Sequence, residues 1–250
     1  MGGFAVLRTR PEMSGPFDRK ALGARQVFLA LLGAAGLSCI GLLILKDRSG
    51  DLAIQTNRFL EEQNVRPLSG SLERLLGDAT AAHVLTQGHP LLGKPCPDFE
   101  LRDHLERPWR LGVEVPKGPV VLVFYYGYIC THCVGQLFAL DKDVDKFREL
   151  GAQIVAVSPD RTDLTRERFS EYGPFHFPVL SDPDDRVSSM YGASEPGSND
   201  ASVKRRHGTF LISPQGIVTW CYLGDQPFTD NRTLLYEIAR LQGRVSRNHP

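Results

Sequence analysis

Two cysteines separated by two residues, Cys130 and Cys133, are the strongest chemical signal in the chain. They lie between an apolar, aromatic run at 119–126 and a segment with helical spacing of apolar residues. A thiolate at the amino-terminal end of a helix faces unpaired N–H groups and the positive end of the helix dipole. Its pKa therefore falls, and more nucleophile is present. A second cysteine one turn away can attack a mixed disulfide or a sulfenic acid. The pair predicts redox catalysis rather than two buried, inert thiols.

Two side chains beside the cysteines are candidate supporting groups. His132 lies between the cysteines, where a positive charge would lower the thiol pKa further. Tyr126 ends the apolar run and either lines the thiol pocket or packs in the core. A structural zinc site needs two more ligands at matched spacing, and the chain has no second CxxC and no HxxxH. The sequence therefore predicts no metal and no cofactor.

Composition excludes one broad class of function. The chain has 250 residues, and its 29 basic side chains are balanced by 29 acidic ones. Nucleic-acid binding proteins normally carry a basic surplus gathered into a patch, so no nucleic-acid partner is predicted. The five cysteines are too few and too scattered for a disulfide scaffold.

An uncharged apolar run, residues 27–45, predicts a single transmembrane helix. At about 1.5 Å per residue it spans roughly 28 Å, close to the hydrocarbon thickness of a bilayer. It is longer than the apolar core of a usual signal peptide, and no A-x-A-like cleavage site follows it. Basic residues are in excess before the run, so residues 1–26 are predicted to be cytoplasmic. The cysteine pair would then work in an oxidising compartment.

The rest of the chain divides into a connector, a domain and a tail. Residues 46–90 are a predicted helical connector, with helical spacing at 51–63 and 71–87, that serves as a spacer. The domain is predicted over 91–242 and a tail over 243–250. Apolar patterns in the domain predict extended segments at 119–126, 152–157, 177–180, 208–212 and 217–222, and helices from the cysteines to about 151, at 165–172 and at 230–242. This order predicts an α/β fold, a mixed central sheet with helices on both faces.

Three motifs in the domain resemble those of a known family. LGKPCPDFEL at 92–101, VVLVFYYGYICTHC at 120–133 and TFLISPQG at 209–216 resemble the opening, active-site and hairpin motifs of the alkyl hydroperoxide reductase/thiol-specific antioxidant (redoxin) family. The resemblance covers about residues 91–242 and implies a thioredoxin-like fold. It also implies a thiol-disulfide oxidoreductase or thiol-dependent peroxidase. The implied partners are protein thiols or disulfides, small peroxides and a thioredoxin-like electron donor.

The resemblance leaves the order of attack open. In thioredoxin-like reductases the first cysteine attacks, which corresponds to Cys130, whereas the attacking cysteine of peroxiredoxins corresponds to Cys133. His207 stands where the reductases have a cis-proline and the peroxiredoxins an arginine. Arg206 is adjacent and is a further candidate for the arginine role. A loop histidine that binds backbone groups is an equal interpretation of His207.

His207 also allows an alternative function. Copper-delivery proteins of cytochrome oxidase assembly share this fold, and their G-[FY]-T-H-C stretch is similar to GYICTHC at 127–133. The similarity implies a copper site formed by Cys130, Cys133 and His207. Thiolates are soft ligands that favour copper(I), and imidazole also binds copper well.

Three further features carry weaker expectations. Ser158-Pro159-Asp160, which follows the second core strand, is predicted to be a strand-to-helix cap. Cys96 and Cys221 are predicted to be buried, and the sequence leaves a disulfide between them open.

Overall fold

The computed structural model describes residues 52–78, 80–195 and 204–245. The predicted transmembrane run at 27–45 and the predicted cytoplasmic segment at 1–26 lie outside these residues. Among the helices that are described, none combines the length and apolarity needed to span a bilayer.

The described chain forms one mixed seven-stranded sheet. Its strands are β1 (Glu100–Asp103), β2 (Pro108–Arg110), β3 (Val120–Phe124), β4 (Gln153–Ser158), β5 (Val179–Ser181), β6 (His207–Ile212) and β7 (Val218–Gly224). The spatial order is β2-β1-β5-β4-β3-β6-β7. β4 runs parallel to β3 and β5, and the other neighbouring pairs are antiparallel. The predicted mixed sheet is confirmed. The β1–β2 hairpin was not predicted.

Helices cover both faces of the sheet. They are α1 (52–62), α2 (Leu72–Leu76), α3 (Leu111–Glu114), α4 (Thr131–Lys142), α5 (Val144–Glu149), α6 (Thr162–Tyr172), α7 (Arg186–Met190) and α8 (Asn231–Leu241), with a 3-10 turn at Val115–Lys117. Residues of α4, α5 and α8 pack with Val121 and Val123 in one core cluster. Residues of α3 and α7 pack with Val120, Leu122 and Phe124 in the other. Successive side chains of β3 therefore enter opposite cores, which explains its continuous apolar run.

The single helix predicted from the cysteines to residue 151 is wrong. It is divided at Asp143 into α4 and α5. The Asp143 carboxylate is buried and accepts hydrogen bonds from the Leu68 N–H and from Asn231 Nδ2, each at 2.9 Å. Because these donors come from distant segments, the break is a tertiary effect that apolar spacing cannot reveal.

The predicted helix at 71–87 is also wrong beyond Leu76. The chain instead runs beside β7 and α8. The Gln87 N–H donates to the Cys221 carbonyl at 3.0 Å, and the Val84 N–H donates to Thr233 Oγ1 at 2.9 Å. With Leu60 and Leu72 buried as well, this connector packs on the domain rather than acting as a spacer.

Candidate active site

Cys130 and Cys133 lie at the junction of the active-site loop and α4 and form a disulfide, with 5.3 Å between their Cα atoms. Cys130 is the N-cap residue, and its Sγ accepts the Cys133 backbone N–H at 3.4 Å. This N–H is one of the first-turn amides that lack an intrahelical partner. Cys130 is half-buried, whereas Cys133 is completely buried. An external thiol can therefore reach only the Cys130 sulfur in this oxidised state.

His207, the first residue of β6, lies against the buried sulfur. Its Nε2 is 3.4 Å from Cys133 Sγ, and the side chain is 2% exposed. Burial, with a smaller contribution from His132, lowers the pKa of His207 to about 4, so the ring is neutral near pH 7. Its Nδ1 is buried and has no hydrogen-bond partner among the described residues. A buried unpaired acceptor is less unfavourable than a buried unpaired N–H, so we assign the proton to Nε2, directed at the sulfur.

Tyr126 fixes the orientation of this imidazole. The two rings stack, with centroids 4.4 Å apart and planes inclined by 24°. The Tyr126 hydroxyl donates to the Arg205 carbonyl at 2.5 Å, just before β6. Burial raises the pKa of the Tyr126 phenol, which keeps this donor protonated. Tyr126 therefore supports the site through His207.

Asp160 holds the loop that leads to Cys130. Its Oδ2 accepts the Tyr128 N–H at 2.8 Å, and burial raises the pKa of its carboxyl group. The predicted capping role is wrong, because the N-cap of α6 is Arg161. Gly127 makes this close approach possible, since it has φ +99° and a Cβ there would lie 2.6 Å from Asp160 Oδ1. The only sequence signals for this contact were the polar residue after β4 and the glycine before the cysteines.

The other predicted supporting residues make their described contacts away from the sulfurs. His132 is exposed and stacks on Phe59 of α1, with centroids 4.4 Å apart. Arg206 is exposed, and its backbone N–H donates to the Ala193 carbonyl at 2.7 Å. The neighbouring Arg205 forms an ion pair with Asp185 at 2.6 Å. No described contact brings either arginine side chain to the disulfide.

The two cysteines and His207 form a compact set of metal-type donors. Their ligand atoms all lie within 4.8 Å of one another, and no other such group of three occurs among the residues that the structure describes. The set joins the predicted cysteine pair to a histidine 74 residues away from Cys133. The arrangement supports either thiol chemistry assisted by an imidazole or, after reduction, binding of a soft metal ion.

Residues 92–221 match the AhpC/TSA family. The chain belongs to this family. It is similar to peroxiredoxin-2 of Macaca fascicularis, with 28% identity over 57% of this chain and 74% of the relative. A putative peroxiredoxin in the rubredoxin operon of Clostridium pasteurianum is 30% identical over 54% of this chain and 79% of the relative. The family assignment makes the protein a thiol-dependent oxidoreductase or peroxidase.

Solved structures show the same fold. The peroxidoxin BcpB from Mycobacterium tuberculosis aligns with a TM-score of 0.52 and 24% identity, covering 63% of this chain and all of that one. The reduced 2-Cys peroxiredoxin of Plasmodium vivax aligns with a TM-score of 0.52 and 22% identity, covering 62% of this chain and 83% of that one. The thioredoxin-like fold predicted from the sequence is confirmed.

The two remaining described cysteines of this AhpC/TSA-family protein lie outside any disulfide. Cys221 is buried as predicted, and its Sγ donates to the Gln87 carbonyl at 3.3 Å. Cys96 is half-buried rather than fully buried, and burial raises the pKa of its thiol. A raised thiol pKa reduces the thiolate fraction, so neither position has the character of a second nucleophile.

Gly127→Ala is expected to destabilise the protein by about 3 kcal/mol, because it combines an unfavourable positive φ with a collision against the half-buried Asp160 carboxylate. Chemical denaturation of both proteins would measure the loss. Gly93→Ala is the matched control, since Gly93 has φ +75° and open space around its missing Cβ. The control should lose only about 1–2 kcal/mol. Equal losses in the two variants would contradict the proposed contact with Asp160.

Proposed function

We propose that the protein is a thiol-dependent peroxidase with antioxidant activity that cycles through the Cys130–Cys133 disulfide. The observation that carries the proposal is the half-buried N-cap Cys130 bonded to a fully buried Cys133 that contacts His207. Membership of the AhpC/TSA family supports peroxide as the oxidant. The reductant is a thioredoxin-like dithiol protein.

In the oxidative half of the cycle, Cys130 is the first nucleophile. It is the sulfur that solvent reaches, and the first-turn amides of α4 stabilise its thiolate. The thiolate attacks one peroxide oxygen, the O–O bond breaks, and an alcohol or water leaves. The Cys133 thiol then attacks the sulfenic acid, forms the disulfide and releases water.

In the reductive half, the thiolate of the electron donor attacks the accessible Cys130 sulfur. The Cys130–Cys133 bond breaks, and its electron pair remains on Cys133 as a thiolate. The Nε2–H of His207 donates to that buried thiolate. The second thiol of the donor resolves the mixed disulfide and leaves both active-site cysteines reduced.

Trapping of oxidised cysteines tests this order. The full-length chain is reduced, treated with hydrogen peroxide and a sulfenic-acid reagent, and analysed by mass spectrometry. In Cys133→Ser we expect the label on Cys130, while Cys130→Ser should label slowly. Rapid labelling of Cys133 instead would reverse the order of attack. If peroxide were ignored while Cys130 formed mixed disulfides with thioredoxin, the protein would be a disulfide exchanger and the peroxidase proposal would be wrong.

We further propose that residues 27–45 anchor the enzyme in a membrane, with residues 1–26 cytoplasmic and the 91–242 domain on the opposite side. The uncharged run and the basic residues before it support this arrangement. The full-length chain should stay in the membrane fraction after alkaline extraction. Protease added to the outer side should digest the domain and spare an amino-terminal tag. Release by alkali, or protection of the domain, would contradict anchoring or orientation respectively.

Copper binding is the second candidate function. The close grouping of Cys130, Cys133 and His207 favours it, and reduction of the disulfide would free both sulfurs as ligands. Copper(I) titration of the reduced full-length chain should then give one tightly held ion, lost in His207→Ala. No binding by the reduced wild type would exclude this role.

A further inference from the structure

Ile129 is the most exposed large apolar side chain among the described residues, with 92% of its surface open to solvent. It directly precedes Cys130. The loop that carries it is well held: the Cys130 N–H donates to the Gly127 carbonyl at 3.2 Å, and the Tyr128 N–H donates to Asp160. The buried Tyr128 side chain anchors the same loop in the core. The isoleucine is therefore presented to solvent by a fixed backbone beside the accessible sulfur.

We propose that Ile129 is the docking contact for the protein that reduces the Cys130–Cys133 disulfide, and that this partner carries an apolar side chain next to its attacking cysteine. The inference rests on the proposed function. A partner sulfur must come within about 2 Å of Cys130 Sγ to form the mixed disulfide. The partner surface around its attacking cysteine must therefore contact the exposed residue adjacent to Cys130, which is Ile129.

The two thiols of the partner supply both electrons that reduce the Cys130–Cys133 disulfide. Its thiolate forms the new S–S bond with Cys130 as the bond to Cys133 breaks, and its second thiol later completes the two-electron reduction. Ile129 takes no part in these steps. It contributes apolar surface that a protein partner buries and a small dithiol leaves exposed.

The partner's flanking residue is expected to be apolar because the side chain that it contacts, Ile129, is aliphatic and 92% exposed. Full burial of an aliphatic side chain strengthens an association by roughly ten- to a hundredfold. Ile129 therefore favours a protein reductant over small thiols of equal reactivity.

The test compares two reductants of the full-length chain during peroxide turnover. The kcat/KM is measured for reduced thioredoxin and for dithiothreitol in wild type, Ile129→Ala and Ile129→Asp. We expect the ratio of the thioredoxin value to the dithiothreitol value to fall about tenfold in Ile129→Ala and further in Ile129→Asp. Leu85→Ala is the matched control, because Leu85 is 85% exposed and lies in the segment beside β7. Its ratio should equal that of wild type.

A second measurement examines the partner's chemistry directly. Two cysteine peptides, one with leucine and one with serine beside the cysteine, react with the oxidised chain, and the rate of mixed-disulfide formation is recorded. Wild type should prefer the leucine peptide, and Ile129→Ala should lose the preference. An unchanged reductant ratio together with no peptide preference would overturn the docking inference. A chain that consumes no peroxide with dithiothreitol would instead overturn the proposed peroxidase function.

Discussion

Cys130→Ser is expected to reduce thiol-dependent peroxide turnover by roughly a thousandfold or more, because it removes the accessible nucleophile on which the rest of the catalytic unit depends. Cys133→Ser should also reduce turnover, but by less, because the Cys130 sulfenic acid can no longer form the internal disulfide and is reduced only when the donor thiol attacks it directly. Peroxide consumption coupled to reduced thioredoxin measures the loss. Cys96→Ser is the control, because Cys96 lies outside the disulfide and should retain wild-type turnover.

The two serine variants are also expected to differ from each other. Cys133→Ser keeps the accessible sulfur, so hydrogen peroxide should oxidise it to a sulfenic acid. A reduced thioredoxin that lacks its own resolving cysteine then attacks this sulfenic acid, releases water and remains bound as a stable mixed disulfide. Cys130→Ser keeps only the fully buried sulfur and should trap little of the same protein. Non-reducing electrophoresis and mass spectrometry separate these outcomes. Preferential trapping by Cys130→Ser would show that the accessible sulfur is not the one attacked.

His207→Phe is expected to slow reduction of the disulfide by about a hundredfold, the lower range for losing a positioned proton donor. Phenylalanine keeps the aromatic ring beside Tyr126 but has no N–H to direct at Cys133 Sγ. The pKa of the Cys133 thiol should rise, because its thiolate loses the contact at 3.4 Å. Single-turnover reduction by thioredoxin gives the rate, and thiolate absorbance during a pH titration gives the pKa.

Tyr126→Phe is the matched variant for this prediction. It retains the stacking on His207 and loses only the hydrogen bond to the Arg205 carbonyl. Its reduction rate should fall no more than a fewfold, and the thiol pKa should stay close to that of wild type. If His207→Phe reduced the disulfide at the wild-type rate with an unchanged thiol pKa, the assigned role of His207 would be wrong.

His207→Phe is also expected to change how the stability of the protein depends on acid pH. The folded pKa of His207 is about 4, below the ordinary value of 6.5, so unfolding takes up a proton between these two pH values. The stability of the wild type therefore falls as the pH falls through this window, by about 3 kcal/mol at the acid end. His207→Phe lacks this contribution. Denaturation curves of both proteins at pH 6.5 and pH 4 should show a smaller acid loss in the variant.

The sequence alone determined the features that depend on local patterns. The β3 run and the CxxC after it predicted a strand, a turn and a helix with a thiol at its start, because burial on both faces requires continuous apolar residues. The extended segments predicted at 208–212 and 217–222 form the β6–β7 hairpin, and in the turn between them the Gly216 N–H donates to the Ser213 carbonyl at 2.8 Å. These signals lie within a few residues of one another.

The tertiary structure decided what surrounds the sulfurs. His207 reaches Cys133 because β6 pairs antiparallel with β3, which brings the start of β6 to the end of β3. Asp160 reaches the Tyr128 N–H because β4 runs parallel to β3 and ends at the same edge. Asp143 divides a predicted helix because distant donors bind its carboxylate. Apolar periodicity records which face of an element is buried, but it carries no information on which distant polar group a side chain will meet. The disulfide pair was therefore predictable from local sequence, and its chemical environment was decided by strand order.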